Sequence, residues 1–190
     1  MEYNDEIFRE QFPIVKSFLY HLTCYRELHS VYKDLNLKSE FWTYTIDAHL
    51  LQACILWCMV FGPDGNPTHW KKLRHQDGTK LENNFRDGLF KHTELTQEKW
   101  GEYWKKMNEF RGGYVAHREL NYSKLVPSFK IAEEVAYYYD TWIREIIEPD
   151  ILEEPPLQES VTKMQKEIKP LAILCLSEAK LIEANTEQSL

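Results

Sequence analysis

The sequence predicts an all-α fold, an antiparallel bundle of four-helix type with a helical appendage at its C-terminal end. Three observations lead there. Apolar residues recur at three- and four-residue spacing along most of the chain. Hairpin signals between alternating runs are nearly absent. Prolines and glycines gather into a few clusters that divide long periodic stretches.

The first helix is expected from near Pro13 to Leu37, with Phe18, Leu22, Tyr25, Leu28 and Tyr32 at helical spacing and Pro13 in the first turn, where its missing N–H is harmless. Ser39 is a natural N-cap for a second helix reaching Phe61. Its stretch from Ala53 to Phe61 is apolar all round and so belongs at the centre of the fold. Gly62-Pro-Asp-Gly-Asn-Pro67 is a dense turn signal, followed by the short basic piece His69-Trp-Lys-Lys-Leu-Arg-His75. Residues 79 to 92 are weakly helical. Thr96 caps a third long helix whose apolar stripe is Trp100, Trp104, Met107, Phe110 and Tyr114. Pro127 opens a fourth, with Phe129, Ala132, Val135, Ala136, Tyr139, Trp142, Ile143 and Ile146 on one face. Pro149 and the run Glu153-Glu-Pro-Pro156 read as a linker between a bundle over residues 1–150 and an appendage over 151–190. The last helix, 157 to 185, should end or kink at Pro170.

Composition narrows the function classes. The 190 residues favour one main domain. Hydrophobic residues at 43% and charged residues at 28% give a globular balance, while 14% aromatics imply bulky helix packing or an adhesive surface. With 23 basic and 30 acidic side chains the net charge is -7. A protein that coats duplex nucleic acid is usually basic, so any contact with RNA must come from a local patch. Cys54 and Cys58 sit one helical turn apart rather than at the two-residue gap of a zinc knuckle, and the four cysteines read as free thiols. No metal, cofactor, nucleotide-loop or zinc-protease motif is found. The N-terminus lacks a signal-peptide pattern, and the run Ala53 to Phe61 is about half of what a membrane span needs. A cytoplasmic protein without membrane contact is the expectation.

Arg111 and His117 carry the chemistry. On an ideal wheel they border the buried stripe at its two edges, about 120° apart, with Glu102, Lys105 and Glu109 on the solvated face. That is too wide for contact on a straight helix. Gly112 and Gly113 between them suggest a bend, a close backbone approach or a helix end, any of which re-aims His117; a second copy of the chain is the other way to bring them together. A guanidinium grips phosphate through a planar fork, and an imidazole moves protons near neutral pH. RNA supplies its own nucleophile, the 2′-hydroxyl. On spacing alone, a purely structural Arg and His remain the simpler reading.

The stretch Asn108-Glu-Phe-Arg-Gly-Gly-Tyr-Val-Ala-His-Arg-Glu-Leu120 resembles the signature of the HEPN superfamily, in which an Arg is followed by four to six residues and then a His, at the end of a bundle helix. The Ala116-His117-Arg118 run, the Trp-rich helix before it, Phe61-Gly62 and Thr68-His69-Trp70 look like its abortive-infection branch, over residues 10 to 148. The resemblance implies a homodimeric all-α bundle in which both Arg and His pairs line one cleft. It also implies a metal-independent endoribonuclease in a toxin–antitoxin or phage-defence setting, leaving a 2′,3′-cyclic phosphate, with an antitoxin protein as a possible partner. Carried over, Arg111 holds the scissile phosphate and His117 manages protons. The family often places a polar residue directly after the Arg, where this chain has Gly112, and some toxins carry a Tyr two residues after the His, where it has Glu119, with Tyr122 out of register. The alternative is therefore a catalytically inactive dimeric interaction module that binds a protein or nucleotide partner. Arg118, Lys71, Lys72 and Arg74 are candidate RNA-phosphate contacts; each also reads as a solvated surface charge. Asp47 and His49 either orient the site or pair locally, and Tyr137-Tyr-Tyr139 is a candidate dimer contact.

Overall fold

A computed structural model describes residues 3–73, 78–117, 119–120, 123–146 and 153–187. Among these the secondary structure is helical: α1 (Asp5–Asp34), α2 (Glu40–Phe61), a 3-10 turn (Trp70–Leu73), α3 (Gly78–Thr93), α4 (Gln97–Glu109), a π turn (Phe110–Ala116), α5 (Lys130–Ile146) and α6 (Leu157–Glu187). The all-α expectation holds. Pro149 of the expected linker lies outside the described residues.

Two caps sit where local chemistry puts them. Ser39 Oγ accepts from Trp42 N at 3.4 Å and Thr96 Oγ1 from Lys99 N at 3.3 Å. Helix α1 starts earlier than expected, because Asn4 Oδ1 accepts from Ile7 N at 3.2 Å and Asp5 and Glu6 fill a first turn that favours negative charge. Pro13 is therefore interior rather than initial. Pro170 likewise does not end α6, which continues through it to Glu187. Both prolines are solvent-exposed, as are Arg9 and Lys166, whose carbonyls lose their helical partner, so water can take the place of the missing N–H.

Pairings fix the directions. Helices α1 and α2 form an antiparallel hairpin joined by Leu35–Ser39, with Tyr32 Oη and Thr43 Oγ1 2.9 Å apart near the join and His21 and His49 Nδ1 2.9 Å apart midway. Helix α5 runs back along α1, tied by Arg26 to Glu133 at 2.7 Å and Tyr139 to Gln11 at 3.0 Å. Helix α3 runs antiparallel to α5, where Trp142 Nε1 donates to Asn84 Oδ1 at 2.9 Å. Helix α6 lies parallel to α1, with Lys16 paired to Glu154 at one end and Lys38 N donating to Glu183 at 2.8 Å at the other. Its start is held by the buried carboxylate of Asp140, which accepts from Leu157 N at 2.9 Å and from Arg144 Nε at 3.0 Å.

The core is built from fully buried Phe18, Trp57, Phe61, Phe85, Phe110, Tyr139 and Trp142. The predicted face of α5 is buried from Phe129 to Ile143. Tyr138 and Tyr139 are buried inside the chain, while half-buried Tyr137 bonds to Glu133 at 3.1 Å, so two members of this triplet are taken up by the chain's own core. Helix α2 is only partly central: Ile46, Leu50, Ala53, Cys54, Trp57 and Cys58 face the core, while Phe41 and Tyr44 on its other side are 68% and 74% exposed. By length and composition α2 could cross a membrane; half of that span is buried against the chain itself, as in a core helix.

One polar residue sits in the middle of this core. Gln11 is fully buried; its Nε2 donates to the His69 carbonyl at 2.8 Å and its Oε1 accepts from Tyr139 Oη at 3.0 Å. Replacing it with an apolar side chain strands a phenol and a carbonyl, each worth about 1–3 kcal/mol when left unsatisfied. Gln11→Leu is expected to lower the unfolding free energy by about that much in urea titration. The double variant with Tyr139→Phe, which removes the orphaned hydroxyl, should recover part of the loss.

Candidate functional site

The candidate site is organised by the turn that ends α2. A helix leaves its last carbonyls without partners, and here they are taken up from several directions. The Cys58 carbonyl accepts from Gly62 N at 3.1 Å and Asn66 Nδ2 at 3.2 Å. Thr68 Oγ1 donates to the Met59 carbonyl at 3.2 Å, and Trp104 Nε1 to the Phe61 carbonyl at 2.9 Å. Gly62 is sterically required, since a Cβ there would lie 2.4 Å from the Cys58 oxygen. His69 closes the turn. It is buried, its Nδ1 accepts from Lys71 N at 3.3 Å, and its ring also hydrogen-bonds the Gly62 backbone. Burial, reinforced by Lys71, pushes its pKa down to about 4. This histidine is a neutral staple rather than an acid–base group.

Arg111 lies against the same turn. Where the sequence left a bend, a close approach or a helix end open, the chain widens into a π turn, with His117 N donating to the Gly112 carbonyl at 3.2 Å and Glu119 N to the Gly113 carbonyl at 2.7 Å. Arg111 borders a small cavity of about 220 Å³ together with Ile55, Cys58, Met59, Pro63, Gly65 and Asn66. Its charge also reaches Cys54, whose thiol is nevertheless raised by its hydrogen bond to Cys58 and by burial. His117 stands exposed at the exit of the π turn. Among the described residues neither the Arg111 nor the His117 side chain forms a hydrogen bond or ion pair. Within the described residues the two side chains therefore share no hydrogen bond. A Cβ at Gly112 would meet nothing within 4 Å, so the polar side chain absent from this position has room to exist.

The remaining candidates divide. Lys71 sits beside the turn and pairs with Asp64 at 3.2 Å, and Lys72 is exposed on the 3-10 turn. Arg74, Arg118, His75 and Tyr122 lie outside the described residues. His49 meets His21 on α1 rather than the Arg111 region, and burial lowers both their pKa values. Cys24, Cys54 and Cys58 are buried free thiols and Cys175 an exposed one. No group of three potential metal ligands occurs among the described residues.

On the far side of the turn is a feature the sequence reading missed. Pro63 lies between the Arg111 cavity and a cleft of about 470 Å³, lined among others by Lys71, Arg86, Gln97, Trp100, Gly101 and Trp104. Trp100 and Trp104 fall on the core stripe by spacing, yet both are half-buried. The available signal was Gly101, a glycine in the middle of a Trp-rich helix. Compared with known proteins, the chain matches no family model, no curated protein and no solved structure.

Two outcomes follow. A histidine whose pKa falls on folding binds its proton only in the unfolded chain, so stability declines as pH drops below 6.5 and levels off near 4. For His69 the full loss is about 3 kcal/mol, with His21 and His49 adding in the same direction. Unfolding curves between pH 7 and 4 should show this slope, reduced by about one proton in His69→Gln. Gly62→Ala should destabilise by about 1–3 kcal/mol, whereas Gly112→Asn should leave the melting temperature nearly unchanged.

Proposed function

We propose that the chain is a metal-independent endoribonuclease of HEPN type whose catalytic pocket forms between two copies. The observation that carries this reading is the outer stripe of α2. Phe41, Tyr44, Ala48, Leu51, Ile55 and Met59 follow one another three or four residues apart, the spacing of a helix–helix seam. Phe41, Tyr44 and Ala48 are exposed and the other three half-buried. Its last two members line the Arg111 cavity. A second α2 laid on this stripe covers the apolar surface and delivers the partner's residues next to Arg111. The exposure of Arg111 and His117, neither of which is bonded through its side chain among the described residues, and the resemblance of residues 108–120 to the HEPN signature support the same reading.

In this reaction the 2′-hydroxyl oxygen attacks the adjacent phosphorus. The O2′–P bond forms, the P–O5′ bond breaks, and a 2′,3′-cyclic phosphate and a 5′-hydroxyl result. Arg111 neutralises the charge on the phosphate oxygens. Imidazole from His117 accepts the 2′ proton, and an imidazolium returns one to the leaving 5′ oxygen. A toxin or phage-defence role, with an antitoxin masking the seam or the pocket, follows from the same resemblance. The second reading, a non-catalytic interaction module, is favoured by Gly112 in place of a polar residue after Arg111 and by the uncovered apolar residues Leu171, Leu174, Leu181 and Ile182 on α6.

His117→Ala is expected to lower cleavage of a mixed RNA pool by about 10²–10⁴-fold with unchanged circular dichroism, and EDTA to have no effect. Tyr44→Glu should yield a folded monomer on sedimentation that no longer cuts. A wild-type dimer that leaves RNA intact across pH 5 to 9 selects the interaction module.

A further inference from the structure

The cleft beside the turn is a second binding element, and we propose that it holds one unstacked nucleotide of a single-stranded RNA. The proposal rests on the nuclease reading for its choice of RNA, but its geometry stands apart from Arg111 and His117.

Gln97, Trp100, Gly101 and Trp104 lie at i, i+3, i+4 and i+7 on α4, so one helix face forms a wall of the cleft. Glycine in a helix interior is unfavourable by about 1 kcal/mol relative to alanine. Packing gives no reason for Gly101, since a Cβ there would meet nothing within 4 Å. What its missing side chain does is leave the cleft open along the wall that Trp100 and Trp104 also line. Those indoles are held rigidly: Trp104 by its bond to the Phe61 carbonyl, Trp100 by ring contacts with Trp57 and Tyr103, both at 6.3 Å. Rigid aromatic faces beside an open slot suit a planar base, and stacking is tolerant of which base it is.

The rim supplies the charge for a phosphate. Among the described residues Lys71 pairs with Asp64 at 3.2 Å and Arg86 with Glu82 at 3.4 Å, each pair with one well-exposed member. Such pairs contribute little to stability, so an incoming phosphate can displace the carboxylates. Asp64 also lines the cleft and opposes an anion, which limits affinity, while the phosphate contacts of the two cations make binding dependent on salt. The volume of about 470 Å³ is within the range of small-molecule sites. Because Pro63 borders both this cleft and the Arg111 cavity, a strand can place a phosphate at Arg111 and a nearby base in the cleft. A base must leave a duplex stack to enter, so the substrate is unpaired RNA.

The test uses the full chain carrying His117→Ala, so that RNA survives, and measures binding of a labelled ten-nucleotide single strand, a hairpin duplex, and AMP and UMP. Single-strand binding that exceeds duplex binding is expected. Gly101→Leu should weaken it about tenfold or more, the loss of one stacked base, while leaving the melting temperature equal or higher because a helix glycine is removed. Arg86→Ala with Lys71→Ala should weaken binding and flatten its salt dependence. Unchanged affinity in Gly101→Leu overturns the proposal, as does tight binding of AMP or UMP without binding of the strand, which assigns the cleft to a free nucleotide. If the otherwise wild-type chain cuts nothing yet Gly101→Leu loses strand binding, the nuclease reading fails and the nucleotide subsite stands. If it cuts and Gly101→Leu cuts equally well, the reverse holds.

Discussion

The buried amide of Gln11 is the constraint on which the rest depends. It joins three pieces of chain that are distant in sequence: α1, the turn after α2, and α5. An apolar residue would pack there without caring how those pieces are aligned. An amide with fixed donor and acceptor accepts one arrangement only, the His69 carbonyl on one side and the Tyr139 hydroxyl on the other. The position of His69 then sets the turn from Gly62 to Thr68, because the ring bonds the backbone of Gly62 where the turn begins and of Lys71 just beyond its end.

From that turn the surface chemistry hangs on two sides. Trp104, whose indole N–H reaches the Phe61 carbonyl, locks α4 to the end of α2, and with it the direction in which the π turn leaves. The cation of Arg111 falls on one flank and those of Lys71 and Arg86 on the other. An acidic protein thus presents positive charge locally, around a loop whose own hydrogen bonds are already committed to the fold.

Some of this was legible in the sequence and some was not, for physical reasons. Ser39 and Thr96 were readable as caps because capping is decided within three residues. The face of α5 was readable because its period is unbroken from Phe129 to Ile143. The prolines misled because the consequence of a missing N–H depends on whether the carbonyl four residues back can meet water, and neither Pro13 nor Pro170 discloses that locally. Gly112 and Gly113 announced an irregularity without choosing its form. The apolar circumference of α2 was plain, but composition does not say whether the second face is covered by the same chain. The distinction between Trp100 as core and Trp100 as cleft wall turns on the space beside Gly101, which only coordinates reveal.

The placement of α6 along α1 has a consequence for how the chain acquires its structure. The ion pair between Lys16 and Glu154 spans 138 residues of sequence, whereas the α1–α2 hairpin and the α3–α5 pair close over shorter distances. Contacts of such long range form only after the intervening chain is available and its closure entropy is met. During synthesis the flank of the first helix therefore stays bare until the final helix emerges, and in that interval its apolar residues are open to whatever else in the cell can cover them.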